Sequence, residues 1–164
     1  MQTSVKPFMT GGPISIEPDA PALAALDLMI EHGFRHLPVL DAQRRVLGVV
    51  SFDDLRAAFP VPISLAEPPS PAEHESMRDL TVSDAMTEAP FTVTEDTSLA
   101  EAAQQMLDHR ISSLPVVDAT GSLDGILTET DLLRALVTAV WTEDLAGDAP
   151  PISGRSLSPP KETT

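Results

Sequence analysis

Two four-residue segments carry the side chains best suited to hold a ligand: Ser51-Phe52-Asp53-Asp54 and Thr128-Glu129-Thr130-Asp131. Each follows an apolar run of strand character and sits at the mouth of a helix. A helix N-terminus offers unpaired N–H groups and a partial positive charge to an anion, and a carboxylate beside it can accept hydrogen bonds from both hydroxyls of a diol. Ser, Thr and Asp are also the commonest helix N-caps, so capping alone explains either segment. Arg35 and His36, just before Leu37-Pro38, add a guanidinium fork at a strand edge. A solvated edge is the plainer reading of that pair.

Other chemistry is scarce. His32 and His36 have a metal-compatible spacing, but Gly33 should end the helix between them and no third ligand is evident, so no metal site is expected. Met29 and Met106 fall on apolar helix faces and read as core. There is no cysteine, Gly-x-Ser-x-Gly elbow, Walker loop, dinucleotide glycine fingerprint or His-Glu-x-x-His run, so the chain reads as non-catalytic.

The bulk numbers narrow the partners. With 42% hydrophobic and 21% charged residues, the 164-residue chain has a globular composition. Ten Lys and Arg against 25 Asp and Glu leave a net charge of -15, a poor match to nucleic acid. No apolar run approaches the roughly 20 residues that span a bilayer, and the start lacks a signal-peptide core, so a cytoplasmic, non-membrane protein is expected.

The elements that must position these residues come in duplicate. Shifting the sequence by 77 residues aligns residues 5–58 with 82–135 without a gap, giving 17 identities over 54 positions. Matches include Val5/Val82, Met9/Met86, Thr10/Thr87, Asp19/Asp96, Met29/Met106, Gly48/Gly125 and Asp54-Leu55/Asp131-Leu132. The first copy has net charge -2 and the second -8, so an anion should prefer the first.

Each copy reads as strand, helix, strand, strand, helix. The strand is Ile14–Ile16 or Phe91–Val93, with Asp19 or Asp96 expected as the helix cap. Helical spacing follows through Leu23, Leu26, Met29 and Ile30, or Leu99, Ala102, Ala103, Met106 and Leu107, predicting one buried face. Gly33 suits a helix end, and Ser98-Leu99-Ala100-Glu101 a capping box. A hairpin then joins Leu37–Leu40 to Val46–Val50, or Leu114–Val117 to Leu123–Leu127, before the final helix. That helix looks longer in the second copy, running through Trp141.

The residues Asp84-Ala85-Met86-Thr87, Ser113-Leu114-Pro115-Val116-Val117-Asp118 and Gly125-Ile126-Leu127-Thr128-Glu129-Thr130-Asp131-Leu132-Leu133, in that order and duplicated, resemble those of CBS domains, which occur as pairs called Bateman modules. The first copy departs at its start, with Lys6-Pro7-Phe8-Met9-Thr10. The resemblance implies an α/β fold of two tandem βαββα repeats packed pseudo-symmetrically, with two clefts for AMP, ADP, ATP or S-adenosylmethionine. It also implies association of two pairs into a homodimer. It matches Asp54 and Asp131 to a ribose-binding aspartate, Ser51 and Thr128 to a hydroxyl near the phosphate, and Arg35 and His36 to phosphate contacts.

The expected organisation is repeat 1 over 1–59, a Pro-rich linker over 60–72, repeat 2 over 73–147 and a disordered tail over 148–164. The expected function is a stand-alone regulatory module that requires no cofactor, binds an adenosyl nucleotide, with Mg²⁺ as an optional companion, and signals to a target protein. The alternative is a ligand-free dimerisation scaffold of the same fold. The cleft containing Asp54, Ser51 and Arg35 is expected to bind more tightly than the one containing Asp131.

Overall fold

In the computed structural model, which describes residues 3–146, each repeat lends its first short strand to the other repeat's sheet. The strands are β1 (Thr10–Gly11), β2 (His36–Leu40), β3 (Val46–Ser51), β4 (Thr87–Glu88), β5 (Ser113–Val117) and β6 (Leu123–Thr128). They form two three-stranded sheets, ordered β1-β6-β5 and β2-β3-β4, with antiparallel neighbours. Thr10 pairs with Ile126 and Gly11 with Gly125; in the other sheet Thr87 pairs with Val49 and Glu88 with Gly48.

The crossing explains why Met9/Met86, Thr10/Thr87 and Gly48/Gly125 recur together. A Cβ on Gly48 would lie 2.8 Å from both the Thr87 carbonyl oxygen and the Met86 sulfur. On Gly125 it would lie 2.9 Å from the Thr10 carbonyl oxygen and 2.8 Å from the Met9 sulfur. Only glycine permits an approach this close.

Crossing also links the cores. Val5 is fully buried among Val93, Ala102, Met106, Leu114, Val116 and Leu127 of the second repeat. Met77 and Val82 are fully buried in the core of the first repeat with Leu26, Met29, Leu37 and Leu55. Burying one such valine contributes about 1.5–3 kcal/mol. The packing units therefore cross the linear division at residues 59 and 73.

Helices α1 (Ala22–His32) and α2 (Phe52–Ala58) cover the first sheet, and α5 (Leu99–His109) and α6 (Glu129–Ala146) the second. The connection supplies α3 (Pro71–Met77) and α4 (Val82–Ala85). Before α3, residues 60–70 form no named element, yet Val61, Ile63 and Leu65 pack against the first core. The second copy's longer final helix is present, and the expected tail over 148–164 lies outside the described residues.

Three local expectations are corrected. Ile14–Ile16 and Phe91–Val93 do not form full strands; each makes one parallel bridge, Ile16 to Val39 and Val93 to Val116. Extending either ladder toward Ile14 or Phe91 would require an N–H from Pro38 or Pro115, and proline has none. Asp19 and Asp96 are not the caps. The Ala22 N–H donates to the Leu80 carbonyl at 2.8 Å, and the Leu99 N–H to the Thr3 carbonyl at 2.8 Å, while Ser98 accepts from the Glu101 N–H. The crossing segments thus satisfy groups that a local cap was expected to serve. Leu107 is 72% exposed rather than part of the buried face of α5.

Gly125→Ala should destabilise the protein by about 1–3 kcal/mol, because its methyl group meets a backbone oxygen that cannot move alone. Gly11→Ala, where a Cβ meets nothing within 4 Å, should change little. Urea denaturation of both variants checks this, and equal effects would show that the close approach does not matter.

Candidate functional site

The turn from β6 into α6 places Thr128 and Asp131 side by side. Asp131 is only 7% exposed. Its Oδ2 accepts the Thr128 N–H at 2.9 Å and the Thr128 hydroxyl at 2.7 Å, while Oδ1 accepts from Arg134 at 3.2 Å. A carboxylate withdrawn from water needs such donors. Because each oxygen has two lone pairs, Oδ1 retains capacity for another donor.

The matching turn from β3 into α2 repeats the two Oδ2 contacts and adds one. The Ser51 N–H and hydroxyl donate to Asp54 Oδ2 at 2.8 and 2.6 Å, and Ser51 Oγ accepts the Asp54 N–H at 3.1 Å. This is a full capping box.

Between the repeats lies a cleft of about 770 Å³, within the size range of small-molecule sites. The second repeat contributes Thr128, Glu129, Thr130, Asp131, Arg134 and Ser112. The first contributes Arg35, His36, Ser51 and Asp53 from its sheet and helix, His32, Gly33 and Phe34 from the end of α1, and Thr10 and Gly12–Ile14 from its crossing segment. Five of the six site residues read from sequence thus share one cleft.

Asp54 is not itself part of that lining, although Ser51, which it binds, and its neighbour Asp53 are. Thr10 and Gly11 pair with β6 and the Gly12 N–H donates to the Asp124 carbonyl at 2.9 Å, which brings the first repeat's crossing segment to the cleft. Arg35 and Asp131 both line it, with the Arg35 guanidinium paired to Asp53 of its own repeat.

Arg134 was missed in sequence. Its signal was the one-turn spacing from Asp131, with no counterpart in the first copy, where Ala57 takes the equivalent position. Arg35 and Arg134 bring guanidinium groups from opposite repeats. Arg35 contacts Asp53 at 3.3 Å and lies 5.2 Å above the Phe52 ring centre. Both arginines are largely exposed, so these ion pairs are weak enough to be exchanged for an anion.

His36 Nε2 lies 2.7 Å from Ser112 Oγ, a hydrogen bond between the repeats. Burial, reinforced by the Arg35 charge, lowers the His36 pKa from its ordinary 6.5, against the opposing pull of Asp54 and Asp53. His32 stacks on Phe34 at 5.5 Å. Among the described residues, no group of three or more His, Cys, Asp or Glu is placed to hold a metal.

Comparison with known proteins adds an independent finding. A family model described as CBS domain matches residues 5–61 and 82–138. Inosine-5'-monophosphate dehydrogenase from Aquifex aeolicus is 30% identical over 123 residues, covering 74% of this chain and 22% of that enzyme. The chain thus spans about a fifth of that relative's length. The structure of CBSX2 from Arabidopsis thaliana, in complex with AMP, superposes with a TM-score of 0.71 at 31% identity, covering 84% of this chain and 99% of that one. The CBS domain pair of protein MJ0100, in complex with 5'-methylthioadenosine and S-adenosyl-L-methionine, gives a TM-score of 0.66 at 25% identity and covers 82% and 99%.

The lowered His36 pKa has a testable sign. The unfolded chain takes up the proton first, so this contribution to stability is complete above about pH 6.5 and is lost as pH falls below that through the folded value. Urea midpoints from pH 7.5 to pH 5 should fall more steeply in the wild type than in His36→Gln. Parallel curves would overturn this assignment.

Proposed function

This chain belongs to the CBS-domain family, with two repeats in one polypeptide, and on that premise we propose that it is a regulatory module binding an adenine nucleotide between them. The observation that carries the reading is the convergence of Arg35 and His36 from one repeat with Thr128, Asp131 and Arg134 from the other. Solved relatives holding AMP, or 5'-methylthioadenosine and S-adenosyl-L-methionine, support the same ligand class.

Asp131 holds the ribose hydroxyls through Oδ1, and the guanidinium of Arg35 meets the phosphate, assisted by N–H groups at the start of α6. Because both repeats contact the ligand, binding favours one relative arrangement of the lobes. That preference can bias a target protein by no more than the ligand's differential affinity for the two states. The role is regulatory rather than catalytic, and cytoplasmic. Mg²⁺ accompanies the phosphates only where a polyphosphate is bound. Among the described residues, no helix is long and apolar enough to cross a membrane.

The test is a melting screen with AMP, ADP, ATP and S-adenosylmethionine, with and without Mg²⁺, followed by calorimetry. Ligand at 100 times its Kd should add about 2.7 kcal/mol of stability. Asp131→Ala should lose about 1.5–3 kcal/mol of binding, roughly 10- to 150-fold, and Asp54→Ala clearly less. No shift and no heat at millimolar ligand would leave the scaffold reading instead.

Exposed apolar residues favour self-association under either reading. Leu133, Leu136 and Val137 on α6 are 61%, 57% and 61% exposed and, with Leu107 on α5, lie on the second repeat's helices. We infer a homodimer through this face. Sedimentation equilibrium at micromolar concentration should show a dimer that Leu133→Asp with Val137→Asp converts to folded monomer. A monomeric wild type would exclude it.

A further inference from the structure

The 77-residue repeat relates the residues that line this cleft to a second, equivalent set, and the two sets differ at the rim. In the first, Ile14 follows the crossing strand β1 and His32 ends α1, and both line the open cavity. The 77-residue shift places Phe91 after β4 and His109 at the end of α5 in the equivalent positions. There the two side chains meet. The Phe91 ring stacks on the His109 ring with centroids 3.6 Å apart and planes inclined by 14°.

Two rings in contact leave no gap for a third flat group, which would need about 3.5–4.0 Å on either side. Phe91 remains 49% exposed, so the pair lies at the surface rather than in the core. The walls behind it also differ. Ala57 stands where the first cleft has Arg134. Asp54 is retained, in its capping box.

We propose that Phe91 and His109 form an aromatic latch across the second cleft, so that the chain takes one nucleotide, in the cleft of Asp131. The inference rests on the nucleotide-binding reading for its ligand, but the latch can be detected without any ligand.

Calorimetry with AMP should give one site per chain in the wild type. In Phe91→Ala a second, weaker site should appear that survives Asp131→Ala and is lost with Asp54→Ala. Because Phe91 is half exposed, its truncation leaves the core intact. Two sites in the wild type, or one site in Phe91→Ala, overturns the latch. Proton magnetic resonance provides the ligand-free readout. The His109 ring protons should be shifted upfield by the Phe91 ring in the wild type and should relax toward ordinary values in Phe91→Ala. Unshifted wild-type protons overturn the latch whatever AMP does. If AMP binds neither protein while the shift is present, the nucleotide reading fails and the latch stands.

Discussion

The close approach of two short crossing strands to two glycines governs the rest of the molecule. A strand of two residues has little to hold it. Here β1 lies against Gly125 and β4 against Gly48, where a side chain would strike the Thr10 or Thr87 carbonyl. The cleared space lets Met9 and Met86 lie over the sheets. Each repeat then completes its sheet with the other's strand and buries the other's valine. Neither lobe has its full sheet or core alone, and the cleft forms where the two exchange chain.

Within this near-symmetric frame the repeats have diverged in charge and cover. Arg35 and Arg134 line one cleft from different repeats, and the position equivalent to Arg134 is Ala57. Asp131 and Asp54 each accept the N–H and hydroxyl of Thr128 or Ser51, and only Asp131 has a guanidinium, that of Arg134, beside it. The charge difference read between the halves does not map onto this cleft, which draws residues from both halves. Cover differs as well. Val61, Ile63, Leu65 and Met77 from the connection pack on the first core, while Leu107, Leu133, Leu136 and Val137 of the second repeat remain exposed.

The sequence by itself determined the duplication, the α1 and α5 helices, both hairpins, the long last helix and the residue types of the site. These features are local or repeated: apolar spacing marks a helix face, turn residues bound a hairpin, and a gap-free 77-residue shift marks a repeat. It also placed Ser51 and Asp54 in one motif and Thr128 and Asp131 in another, as the hydrogen bonds show. Tertiary structure decided which sheet β1 and β4 join, which carbonyl serves each helix N-terminus, and that Arg35 and Asp131, from different repeats, line one cleft. It also brought Phe91 onto His109. A two-residue strand is too short to show a period, and its partner is chosen by the space that a missing Cβ leaves in a distant strand. That selection operates only once the chain has folded back on itself.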